Sequence, residues 1–191
     1  MLLIRNEQPS DAASVEALLD AAFGPDRGSK VSYRYRRRVP RVDELCLVAE
    51  EAGRLVGTIR YWPVRLEQEP ALLLGPVATD PSRRAVGIGR ALVFESLARA
   101  ADLGWNLVFL VGDRDYYRRF GFEVVPPTIV MPGEQPARVQ WRYLDGRPTR
   151  LPAGEIRRYD GSRIEAVAGQ PPDREPDRAG SEEDRDRGLP R

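Results

Sequence analysis

Short apolar runs alternate along this chain with one long helical pattern, and together they predict most of its elements. Leu2 to Arg5 reads as a first strand. Pro9-Ser10-Asp11 then opens a helix whose apolar side carries Val15, Leu18, Leu19 and Ala22, and Gly24-Pro25 stops it. An arginine-rich segment follows from Ser29 to about Arg38. Leu45 to Glu50 and Leu55 to Val64 predict two strands joined at Glu51-Ala52-Gly53, a hairpin signal. Leu72 to Ala78 predicts another, interrupted by Gly75-Pro76. That pair suggests a bulge, because Pro cannot donate to a ladder and Gly tolerates unusual dihedrals.

The clearest helix runs from Gly87 to Leu103. Its charged positions Glu95, Arg99 and Asp102 lie along one edge, and nearly everything else after Arg90 is apolar or small. A helix with one narrow polar strip is mostly buried, here against a sheet. Leu107 to Val111 is a continuous apolar run, as an inner strand requires. Arg114 to Phe120 reads as a short helix and Phe122 to Val125 as a strand. Val139 to Leu144 alternates and runs into Asp145-Gly146, a turn. The expected domain covers residues 1–160. Beyond it, 161–191 is expected to be a disordered tail: from about Gly169 it has no aromatic residue and is dominated by Asp, Glu, Arg and Pro.

Composition narrows the chemistry more than it narrows the fold. No histidine occurs, and Cys46 is the only cysteine, so no disulfide can form within the chain. Zinc sites built from His and Cys are excluded, as are the Ser-His-Asp and Cys-His forms of nucleophilic catalysis. No metal site is expected. Cys46 itself sits in an apolar strand pattern and reads as core. Any acid or base is Tyr, Asp, Glu, the sole lysine Lys30, the N-terminus or Cys46. The formal net charge of +1 gives no support to nucleic acid as a partner. No apolar run approaches the roughly 20 residues of a membrane span, and the expected location is cytoplasmic.

The informative stretch is Val77-Ala78-Thr79-Asp80-Pro81-Ser82-Arg83-Arg84-Ala85-Val86-Gly87-Ile88-Gly89-Arg90, followed at once by the strong helix. A strand leads into a glycine-bearing turn that opens a helix. Free backbone N–H groups and the positive end of the helix dipole converge there and favour an anion. Gly87 and Gly89 let a phosphate approach the backbone, and Arg84 and Arg90 add charge. Taken alone, the same glycines serve equally well as a tight strand-helix connection.

Two motifs in sequence decide between these readings. Arg84-Ala85-Val86-Gly87-Ile88-Gly89 resembles the R/Q-x-x-G-x-G/A pyrophosphate loop of the GNAT superfamily of N-acetyltransferases. Gly112-Asp113-Arg114-Asp115-Tyr116-Tyr117-Arg118-Arg119-Phe120-Gly121-Phe122 resembles that superfamily's Tyr-x-x-x-Gly-Phe element, in a wording closest to the YhbS-like group. The resemblance covers Leu2 to Val125, and more loosely extends to about Tyr159. It implies an α/β, GNAT-like fold: a mixed, mostly antiparallel central sheet flanked by helices.

It further implies an N-acetyltransferase using acetyl-CoA as co-substrate, by direct attack of an amine in a ternary complex. The pyrophosphate would sit on the amides of Arg84, Ala85, Val86, Gly87, Ile88, Gly89 and Arg90. The pantetheine arm would follow Val77, Ala78 and Thr79, with the Val77 N–H as donor to the thioester carbonyl. Tyr117 is the implied general acid for the departing thiolate, the alternative being that its ring packs under the cofactor and its hydroxyl is structural. Tyr116 competes for either role. Asp113 stands where many members carry Asn, and reads as a helix N-cap at least as well as a cofactor contact.

The acceptor is an amine on a small molecule or peptide, and a homodimer remains open. Glu67 and Glu69 are candidate bases that also suit a solvated loop. Of Tyr61 and Trp62, at most one can face the acceptor cleft, because neighbouring strand residues point opposite ways. Arg34, Arg36, Arg37, Arg38 and Arg41 form a basic cluster whose plainest reading is a solvated helix face. Two alternatives to acetyl transfer stay in view: a different acyl-CoA donor, and a non-catalytic acyl-CoA-binding regulatory module.

Overall fold

The computed structural model describes residues 1–146 and 151–160. The expected disordered tail, 161–191, lies outside the described residues. The chain begins with β1 (Leu2–Asn6) and α1 (Ala12–Phe23), then forms β2 (Leu47–Glu51), β3 (Arg54–Leu66) and β4 (Glu69–Thr79). After these come α2 (Ile88–Asp102), β5 (Leu107–Val111), α3 (Arg114–Arg118), β6 (Glu123–Val124), β7 (Ile129–Val130), β8 (Val139–Tyr143) and β9 (Gly154–Arg158). The β2–β3 hairpin closes as expected, with Ala52 and Gly53 both at positive φ (50° and 76°). A two-residue turn of that kind matches the twist of its strands.

The sheet runs β1-β2-β3-β4-β5-β8-β6, and β9 pairs with the far end of β3 through Val64 to Leu66. Along that path only β4 and β5 are parallel, joined by the α2 crossover. The result is the expected mixed, mostly antiparallel sheet. Alternate residues divide it into two faces. Ile59, Tyr61, Leu72, Leu74, Val108 and Leu110 meet Leu92, Val93 and Leu97 of α2. Val64, Leu66, Leu73 and Phe109 meet Tyr35, Met131 and Ile156 on the other side, where Val15 and Leu19 of α1 also pack on Val48 and Ala78. Leu92 and Val93 are fully buried, each worth roughly 1.5–3 kcal/mol of transfer free energy. Gly57 lets α2 settle closely: a β-carbon there would meet Ile88 at 2.8 Å and Leu92 at 2.9 Å.

One expectation needs correction, and two strands were not foreseen. The arginine-rich segment is not a solvated helix face; Pro25–Ser29 and Val31–Tyr35 are 3-10 turns, separated by an extended Lys30. Burial of Ser32 and Tyr35 against the sheet side of that segment outweighs any local helical preference. Strands β7 and β9 were invisible to apolar patterning. The first is two residues long, and Ile156 is the only buried residue of the second.

A charged network ties these layers together. The carboxylate of Glu7, almost wholly buried, accepts from Arg60 Nε and Nη2, both at 2.7 Å, and from Arg41 Nη1 at 2.7 Å. Arg60 also donates to Glu16 of α1 at 2.8 Å, and Glu16 pairs with Arg27. Strand β3, helix α1 and the loop after β1 are thereby held in one register.

Candidate functional site

Strands β4 and β5 pair from Leu72 to Leu74 and then part company. Beyond that point β4 stays bonded to β3 on its other edge, through Val77, Ala78 and Thr79. The register shift between Ile59 and Tyr61 lies opposite Gly75-Pro76, where the bulge was expected. Asp80 N–H donates to Val56 O at 2.9 Å, across to β3. Successive amides of an extended strand point to opposite edges. The N–H groups of Thr79 and Val77 therefore point away from β3, into the opening that β5 has vacated. An opened strand edge of this kind accepts an extended ligand with alternating amide groups.

The opening continues into a cavity of about 920 Å³. At one end lies the turn before α2. Ala85 and Gly87 both adopt positive φ, 67° and 89°, and Gly87 is the N-cap without any side-chain cap. The first amide bonded within the helix is that of Ala91, to Gly87 O at 2.9 Å. Among the described residues, the N–H groups of Ile88, Gly89 and Arg90 have no partner, and they carry the helix's positive end. Arg83, Arg84, Arg90 and Arg119 surround them on the cavity wall. An anion of two phosphates would find both donors and charge here.

Helix α3 supplies the opposite wall. Asp113 is its N-cap, accepting the Tyr116 N–H at 2.7 Å. Tyr116 and Tyr117 stand edge to face with centroids 4.9 Å apart, and both line the cavity. The Tyr116 hydroxyl lies over the start of α2, 3.0 Å from where a β-carbon on Gly89 would be. Tyr117 packs its ring on Gly112, whose missing side chain makes room for it: a β-carbon would stand 2.4 Å from the ring. Burial pushes the Tyr117 phenol well above its ordinary range, and the Arg36 guanidinium acts in the opposite direction. The phenol is held protonated at neutral pH.

The last wall comes from the 3-10 segment. Phe23, Lys30, Tyr33, Arg36, Glu134 and Arg138 face the cavity from this side. Residues three apart eclipse in a 3-10 turn, and Arg36 lies with its guanidinium carbon 4.4 Å from the Tyr33 ring centre. The Trp62 ring is 5.2 Å from the same carbon.

Of the residues expected at the site, Val77, Thr79, Arg84 to Arg90, Tyr116 and Tyr117 line this one cavity. Ala78, also expected at the site, is not on the cavity wall: its side chain is buried on the α1 side and its N–H, between those of Val77 and Thr79, points to β3. Tyr61 is fully buried with its hydroxyl 2.8 Å from Ser96, while Trp62 on the opposite face backs Arg36. Glu67 accepts the Glu155 N–H and Glu69 the Tyr143 hydroxyl, both remote from the cavity wall. Cys46 is buried, and burial raises its thiol to about 11. Tyr33 and Glu134 were not anticipated. The only sequence signal for Tyr33 is its i, i+3 spacing to Arg36, which has meaning once the turn is known to be 3-10, and Glu134 has none.

Comparison with known proteins follows the same outline. The acetyltransferase (GNAT) domain family matches residues 3–125. Escherichia coli YhbS, an uncharacterised N-acetyltransferase, is 35% identical over 126 residues, spanning 64% of this chain and 74% of YhbS. E. coli YjhQ, another uncharacterised N-acetyltransferase, is 27% identical over 161 residues, 79% of this chain and 88% of its own. The crystal structure of E. coli YhbS in complex with CoA matches with a TM-score of 0.69 at 28% identity, covering 83% of this chain and 89% of that one. A GNAT family acetyltransferase from Brucella melitensis in complex with acetyl-CoA gives 0.63 at 30% identity, covering 84% and 97%.

Proposed function

Since the chain belongs to the GNAT acetyltransferase family, we propose that it transfers the acetyl group of acetyl-CoA to an amine by direct attack in a ternary complex. The observation that carries this reading is the convergence of two sets of unpaired amides on one cavity. Val77 and Thr79 offer the strand edge, and Ile88 to Arg90 offer the helix start. Crystal structures of similar proteins in complex with CoA and acetyl-CoA support this choice of co-substrate.

In this scheme the diphosphate lies on the α2 turn beside Arg84 and Arg90, and the pantetheine arm pairs with the free edge of β4. The Val77 N–H donates to the thioester carbonyl, whose oxygen gains negative charge as the amine attacks. A C–N bond forms and the C–S bond breaks. The attacking nitrogen loses its extra proton to water, and the thiolate takes the Tyr117 hydroxyl proton, which water then restores. Burial raises the proton affinity of a thiolate as it does that of a phenol, so a buried tyrosine is a fitting donor. Holding both reactants in one cavity contributes proximity. A cytoplasmic location suits an enzyme that draws on acetyl-CoA. Among the described residues, no helix is long and apolar enough to cross a membrane.

Thiol release from acetyl-CoA, followed with a panel of primary amines, tests the proposal. Amine-dependent release with equimolar N-acetyl product is expected. Tight CoA binding with no release from any amine would replace it with a non-catalytic binding module. Faster release from longer acyl-CoA esters would replace acetyl by another acyl donor.

A further inference from the structure

Arg36, on the wall that the 3-10 segment contributes, is a cavity cation that the transfer chemistry leaves unused. Its guanidinium carbon lies over the rings of Tyr33 and Trp62. Those π faces attract the charge, but they do not satisfy the N–H groups, which lie in the guanidinium plane. Nε and Nη1 are buried with no hydrogen-bond partner among the described residues, and so is the Tyr33 hydroxyl. A buried donor left unpaired costs about 1–3 kcal/mol, more when charged. Burial pushes the guanidinium down to about 10, against the opposing influence of Tyr33 and Glu134. It is still charged at neutral pH. Glu134 faces the same cavity without an ion pair to Arg36.

We propose that Arg36, assisted by the Tyr33 hydroxyl, is the carboxylate-recognition site for the acceptor, which is therefore a small amine carrying a carboxylate a few bonds from its nitrogen. The inference rests on the acetyltransferase reading and adds the substrate class to it. A planar carboxylate meets in-plane guanidinium donors two at a time, which no neutral group does as well. Lys30 and Arg138 line the same wall and outnumber Glu134, so the field there favours an anion.

Distance limits the size of the acceptor. The position of a β-carbon on Gly75 lies 3.6 Å from Arg36 Nη2 and 3.9 Å from the Val77 amide nitrogen. The two nitrogens are thus within about 7.5 Å of each other, the sum of those distances. Each hydrogen bond takes up about 2.9 Å. A carboxylate on Arg36 and an acyl carbon at Val77 are then close enough for one amino acid to touch both. An amine on a protein surface, with its nearest carboxylate elsewhere, does not meet this requirement.

The test pairs acceptors that differ only in that group: α-amino acids, β-alanine and 4-aminobutyrate against their amides and decarboxylated amines, each assayed for acetyl-CoA-dependent thiol release. At least one carboxylated member is expected to exceed its amide by tenfold or more in kcat/KM. Arg36→Met should abolish that difference mainly through the acceptor KM, leaving the KM for acetyl-CoA within twofold, and Arg36→Lys should restore part of it. Equal transfer to amides, or an equal loss for both members of each pair in Arg36→Met, overturns the inference. Should no amine react, calorimetry of N-acetyl amino acids into the CoA complex decides. Binding weakened by Arg36→Met upholds the site, whereas no binding removes it and leaves the cofactor reading standing. Failure to bind CoA at all removes both.

Discussion

Tyr117 and Arg36 show how differently two side chains in one cavity can be read. Tyr117 sits in Tyr-x-x-x-Gly-Phe, so its place on the cavity wall was legible from the resemblance to a family motif. If it is the acid, Tyr117→Phe should lower kcat by on the order of 10²–10⁴, with CoA affinity nearly unchanged. Its pH signature has a definite sign. Because burial raises the phenol, it stays protonated past the ordinary tyrosine range near ~10. Turnover at saturating acceptor should therefore climb with pH as the acceptor ammonium deprotonates, with no descending limb below pH 10. A kcat profile falling between pH 8 and 10 would deny Tyr117 this role. Arg36 was visible only as one of five clustered arginines. Which of them turns inward depends on a 3-10 turn and on Trp62 from a distant strand, and neither is a local property of the sequence.

Elements position these side chains, and glycines set how closely they approach. Helix α3 lies against the end of β5 because Gly112 leaves space for the Tyr117 ring. Gly112→Ala should displace that ring, costing about 1–3 kcal/mol as overpacking does and reducing turnover, read by urea denaturation and thiol release. Unchanged values for both would mean that the contact is dispensable. At this scale the sequence was most informative where periodicity and punctuation agreed. Helix α2, the β2–β3 hairpin and the interruption at Gly75-Pro76 all had apolar patterning together with a Gly or Pro signal. Strand β9 had the punctuation of Pro152 and Gly154 but no apolar pattern, since four of its five residues are at least partly exposed and its pairing is set by the end of β3.

Across the whole molecule, the site depends on β4 leaving β5 while remaining fixed to β3. The buried Glu7–Arg60 pair and its links to Arg41 and α1 anchor that neighbouring strand. Glu7→Gln leaves Arg60 short of its compensating charge and should destabilise the fold by about 3–5 kcal/mol, seen as a lower urea midpoint. A midpoint within error of the parent would show that water replaces the pair at little cost. Cofactor binding turns on the free amides at the start of α2 and along β4. Calorimetric titration of the purified protein with CoA tests them most directly, with Gly89→Glu placing a carboxylate among the amides and circular dichroism verifying its fold. One site per chain is predicted, weakened at least tenfold, about 1.4 kcal/mol, in the variant. No heat of binding from the parent protein, or equal affinity in a folded Gly89→Glu, would contradict it.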